Sequence, residues 1–82
     1  MNLIGTMWVF LYNLDEGLET TITFSDVNNA ISGSKTRYAW RYINESSILI
    51  DLDGIVQYIG TISNGKITGK TSNYRFQMKL RK

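Results

Sequence analysis

The sequence predicts an all-β protein, a small antiparallel up-and-down meander barrel of about eight short strands. Three observations predict it. Runs of alternating apolar and polar residues recur about every ten residues, each bounded by turn residues. Asn64-Gly65 and Asp53-Gly54 lie between such runs. Those pairs are strong hairpin signals, because a type I′ turn needs positive φ at both central residues. No window carries helical apolar spacing, and the stretch from Asp26 to Ile31 holds one turn at most.

The first run extends from Leu3 to Leu14 and ends at Asp15-Glu16-Gly17. It is apolar on both faces, with Met7, Val9 and Leu11 on one and Trp8, Phe10 and Tyr12 on the other. A barrel strand with one wet face alternates more cleanly. The second face is therefore covered by a loop or terminus, or it forms a homodimer or partner contact through Met7, Val9 and Leu11. The second run, Leu18 to Phe24, puts Leu18, Thr20, Ile22 and Phe24 on one face. After a loop at Ser25 to Asn29, Ala30 to Ser32 forms a short edge strand broken at Gly33-Ser34. Lys35 to Ile43 sets Tyr38, Trp40 and Tyr42 against Arg37, Ala39 and Arg41. Ser47 to Leu52 turns Ile48, Ile50 and Leu52 inward. Tyr58 to Ser63 and Lys66 to Lys70 form the hairpin around Asn64-Gly65, with Gly60 and Gly69 in its arms. Glycines there mark a sharp bend or a close backbone approach. Asn73 to Arg81 ends the meander, with Tyr74, Phe76, Met78 and Leu80 opposite Arg75, Gln77, Lys79 and Arg81. Closure of the last strand on the first protects the edges.

Eighty-two residues make a single domain, 1–82. The chain has no Cys, so neither a disulfide nor a thiolate metal site supports its core, and no His, which removes the commonest general base and metal ligand. The apolar N-terminal stretch lacks a basic region and a small-residue cleavage site, and it is too short for a membrane span. It is expected to be the first strand of a cytoplasmic protein.

Ile4-Gly5-Thr6-Met7-Trp8, Tyr38-Ala39-Trp40, Tyr58-Ile59-Gly60-Thr61-Ile62 with Lys66-Ile67-Thr68-Gly69, and a last strand ending in basic residues resemble the calycins. That group of meander barrels includes lipocalins and avidin-like proteins. The resemblance implies a small apolar ligand at the barrel mouth, near Trp8, Tyr38, Trp40 and Tyr58, which otherwise serve as core. It also implies a basic residue, Arg81 before Arg75, packed over Trp8 by a cation–π contact. One departure is that two residues, not one, separate Gly5 from Trp8, so a bulge at Thr6 or Met7 is needed to restore the faces. Eight strands enclose little more than their own side chains. Trp8, Phe10, Phe24, Tyr38, Trp40, Tyr58 and Phe76 all turn inward to fill that space.

Charge is unevenly distributed. The first 53 residues carry seven acids against three basic residues, net −4, whereas the last 29 carry six basic residues and no acid. Lys66, Lys70, Arg75, Lys79 and Arg81 share the outer face of the last two strands. Such a stripe holds nucleic-acid phosphates or an anionic lipid surface, or it is a solvated face neutralised by acidic neighbours. Tyr74 and Phe76 point inward, so no stacking platform accompanies it. Asp51 and Asp53 share a strand face as a hard-cation pair would, although a turn role explains Asp53 more simply. Glycine-rich phosphate loops are absent, and Ser46-Ser47 has no His to activate it. The expectation is a non-enzymatic barrel without cofactor or metal, binding a small apolar molecule at its mouth. The alternative is a protein- or nucleic-acid-interaction module that uses the basic hairpin or the outer face of the first strand.

Overall fold

Eight antiparallel strands, each hydrogen-bonded to the next in chain order, close into a barrel when β8 pairs with β1. This computed structural model describes residues 2–81. The strands are β1 (Met7–Asn13), β2 (Leu18–Phe24), β3 (Asn29–Ser32), β4 (Arg37–Asn44), β5 (Ser47–Leu52), β6 (Val56–Ser63), β7 (Lys66–Lys70) and β8 (Arg75–Arg81). Closure leaves no sheet edge to template association. The short β3, an edge strand by sequence, is paired on both sides.

The inward phase of every strand carries the core: Trp8 and Phe10, Ile22 and Phe24, Ala30, Tyr38 and Trp40, Ile48 and Ile50, Tyr58, Ile67, and Phe76 and Met78 are all buried. A one-residue slip of any strand would turn that set outward, so the apolar alternation fixes the register. Turn chemistry agrees with it. Asn64 and Gly65 have φ of 51° and 73° between the paired residues Ser63 and Lys66, as a type I′ hairpin requires. Asp53 and Gly54 have φ of 50° and 71°, and the Ile55 amide donates to the Leu52 carbonyl at 2.8 Å.

Gly60 and Gly69 pair across β6 and β7, where the backbones leave no room for a side chain on Gly69. A Cβ on Gly69 would fall on the Ile59 carbonyl oxygen and lie 2.7 Å from the Gly60 Cα. A Cβ on Gly60 would meet the Phe76 ring and the Ile67 side chain, each at 2.8 Å. The side-chain volume missing from β6 is supplied by that ring.

The first strand begins at Met7, not at Leu3. Residues 3–6 instead turn beneath one end of the barrel. Leu3 is completely buried, its carbonyl accepts from the Thr6 amide at 3.0 Å, and its amide donates to the Tyr42 hydroxyl at 3.3 Å. Gly5 donates to the Phe24 carbonyl while the Phe24 amide donates to Thr6. Two residues thus face one, a bulge with glycine in the left-handed region at φ 84°. The Gly5–Trp8 spacing points to a bulge at Thr6 or Met7; the bulge formed by Gly5 and Thr6 opposite Phe24 lies at the first of these positions and begins one residue earlier. It also explains why a uniform strand from Leu3 is wrong: Gly5 breaks the ladder and frees Leu3 to plug the interior.

The interior holds two groups of rings. Near the plug, the buried Phe24 and Trp40 pack edge to face with centroids 5.0 Å apart, and the exposed Tyr42 packs on Trp40 at 5.4 Å. Towards the other end, Phe10 contacts Tyr58 at 5.1 Å, Phe76 at 6.0 Å, Tyr12 at 6.0 Å and Tyr38 at 6.1 Å. Edge-to-face contact at these distances is the favoured aromatic geometry. The buried rings and the aliphatic core residues pack against one another inside the barrel.

Candidate functional site

Strand direction decides which side chains meet at each end. The β1–β2, β3–β4, β5–β6 and β7–β8 connections lie together, opposite the plugged end. Inward residues beside those connections therefore converge. They are Tyr12 near the end of β1, Tyr38 near the start of β4, Leu52 and Val56 flanking the β5–β6 turn, Tyr58 in β6, and Tyr74 just before β8. Phe10 and Phe76 lie beneath them as an apolar floor.

Tyr58 is 2% exposed and Tyr38 8% exposed, whereas Tyr12 and Tyr74 are half-buried at the rim. The Tyr58 and Tyr74 hydroxyls lie 3.5 Å apart. Burial raises the Tyr38 phenol above its ordinary range, and the neighbouring Tyr12 and Tyr74 add to the shift. Tyr58 is raised further, first by burial and then by its hydrogen bond to Tyr74. These phenols stay neutral around pH 7. They offer donors and acceptors above an aromatic floor.

The four ring residues expected at one mouth are divided between the two ends. Tyr38 and Tyr58 belong to the tyrosine rim. Trp40 stacks in the plugged half, where its indole Nε1 donates to the carbonyls of Asp26 at 3.0 Å and Asn29 at 3.1 Å. Trp8 is fully buried beside the plug, donating to the Thr6 hydroxyl at 2.8 Å. Sequence reasoning missed Tyr12 and Tyr74. Their signal was inward parity combined with position next to a connection at the open end. The basic residue expected over Trp8 is not there: Leu80 faces Trp8, whereas Arg81 pairs with Met7 on the outward phase, and Arg75 reaches Asp15.

On the outer wall the five basic residues do form one face. Lys66 lies directly opposite Lys79, and Lys70 opposite Arg75. Arg75 Nη2 is 2.6 Å from Asp15 Oδ1, an exposed pair whose hydrogen bond raises the guanidinium further above its already high range. Beside this face, over Gly60 and Gly69, lies a groove of about 730 Å³ lined by residues that include Ile59, Thr61, Thr68, Lys70 and Arg75. Met7, Val9 and Leu11 also point outward between β8 and β2, with Met7 40% exposed and the other two half-buried.

Asp51 and Asp53 are taken up by their turn. Asp51 Oδ2 accepts the Gly54 amide at 3.1 Å, and Asp53 holds a left-handed position in that loop. Asp51 Oδ1 is buried without a hydrogen-bond partner. Among the described residues no group of three or more acids could hold a metal ion, and no helix is long and apolar enough to cross a membrane. Comparison with protein-family models, curated proteins and solved structures returned no match, so the fold and the site rest on this chain's own geometry.

Proposed function

We propose that this chain is a non-enzymatic, calycin-like binding barrel whose open end takes a small, flat, largely apolar molecule. The observation that carries the reading is the convergence of Tyr12, Tyr38, Tyr58 and Tyr74 above Phe10 at the end that Leu3 does not plug. Binding sites combine apolar area with a few convergent polar groups, and phenols supply both. Because Phe10, Tyr58 and Phe76 pack against one another beneath the open end, the ligand sits on the rim, in contact with Tyr12 and Tyr74 and facing the hydroxyls of Tyr38 and Tyr58.

The test is a titration of small aromatic compounds followed by NMR of labelled tyrosine rings. Binding shifts the Tyr58 and Tyr74 resonances and leaves the Trp8 and Trp40 indoles unmoved. Tyr74→Phe then weakens binding about two- to tenfold, the effect of one lost hydrogen bond. A panel in which no compound moves a tyrosine, or in which the indoles move first, rejects the rim as the site.

A further inference from the structure

The outer face of β7 and β8 arranges its cations in a way that costs the fold something. Like charges directly opposite one another on neighbouring strands are destabilising. This hairpin has two such pairs, Lys66 with Lys79 and Lys70 with Arg75, separated by the neutral pair Thr68 and Gln77. Arg81 extends the row at the edge of β1. Among the described residues only Arg75 has an ion-pair partner, Asp15. The groove over Gly60 and Gly69 continues the face and adds the Thr61, Thr68 and Ser72 hydroxyls and the Gln57 amide.

We propose that this face binds the phosphate backbone of double-stranded nucleic acid without reading its sequence. Lys, Arg, Thr, Ser and Gln are the side chains that contact phosphate oxygens. Lys66 and Lys70 are four residues apart, about 13 Å at strand rise, so the two cationic pairs are spaced to reach phosphates on either side of a major groove about 12 Å wide. A single strand is less well served. No aromatic side chain occupies the outward phase of β6, β7 or β8, so unstacked bases find no platform. An acidic peptide matches the charge but uses neither the regular spacing of the pairs nor the hydroxyls between them.

The experiment is fluorescence anisotropy with a short DNA duplex, the corresponding single strand and polyglutamate. The duplex binds at about 50 mM salt and loses roughly a hundredfold in affinity by about 200 mM, as release of counterions from about four phosphates requires. The single strand and polyglutamate bind at least tenfold more weakly. Lys66→Glu lowers duplex affinity at least tenfold while raising the melting temperature, because an opposite charge now faces Lys79. Lys79→Gln, which introduces no new attraction, lowers affinity in the same direction. No anisotropy change at low salt overturns the proposal. So does equal or tighter binding of polyglutamate or of the single strand, or full binding by both variants.

Discussion

Gly60 and Gly69 are cross-strand partners whose backbones approach too closely for a side chain on Gly69. The two positions differ in what a methyl would strike. At Gly69 the obstacle is the Ile59 carbonyl and the Gly60 Cα, which can move only if the sheet moves. At Gly60 it is the end of the Phe76 ring and a methyl of Ile67. Overpacking costs about 1–3 kcal/mol, and more where the backbone must shift. Gly69→Ala is expected at or above the top of that range, and no core substitution rescues it. Gly60→Ala is expected to recover part of its loss in combination with Phe76→Leu. Urea midpoints of the two single variants and of each combined with Phe76→Leu check this, and equal rescue at both positions contradicts it.

Leu3 closes the plugged end as a fully buried side chain on a segment outside the strands. Leu3→Ala is expected to cost about 2–5 kcal/mol, the range for truncating a core leucine. It also opens a path for water to Trp8, so the tryptophan emission shifts to the red before unfolding. A loss under about 1 kcal/mol would mean that the segment is not part of the core.

The buried phenols set an alkaline limit on stability. Tyr38 and Tyr58 have folded pKa values above the ordinary phenol value of about 10. The folded state therefore holds their protons more tightly than the unfolded state does. Their contribution is fully present below about pH 10 and is lost as pH rises from there towards the folded values. Unfolding free energy should fall above about pH 10, and Tyr58→Phe should flatten that fall. An alkaline limb unchanged by Tyr58→Phe would place the sensitivity elsewhere.

At the other extreme, Asp26 organises the β2–β3 loop. Its Oδ1 accepts from the Asn28 and Asn29 amides at 3.1 Å each and from the Asn29 side chain at 2.8 Å. Those hydrogen bonds, the Asn28 amide foremost, hold its pKa below the usual carboxylate value. The stabilisation is present above about pH 4, the unfolded value, and is lost as pH falls through the folded one. Asp26→Ala should remove that part of the acid limb and loosen the loop whose Asp26 and Asn29 carbonyls receive the Trp40 indole. Faster amide exchange at Asn28 and Asn29 is the readout.

The strands, their faces and two of the turns were legible because each depends on local chemistry. Alternation in Tyr38-Ala39-Trp40-Arg41-Tyr42 requires only neighbours, and Asn64-Gly65 requires only its own φ angles. The site was half legible. Tyr38 and Tyr58 were marked as inward rings, but parity treats Trp8 and Trp40 in the same way. The left-handed Gly5 turned an apparent strand start into a plug, and nothing in the apolar run Leu3-Ile4 distinguishes those two uses.

By itself the sequence determined the all-β class, the meander order, the inward set of side chains and the basic outer row on β7 and β8. All of these follow from a period of two and from turn residues, which act over a few positions. Closure of β8 on β1 was expected from the sequence, but only the tertiary structure decided the register of that pairing, that Leu3 plugs one end, and that Tyr12, Tyr38, Tyr58 and Tyr74 share the other. The reason is physical. Closure and ring packing depend on pairings between residues far apart in the chain, such as Trp8 with Leu80, and their register emerges only when the whole sheet curls on itself.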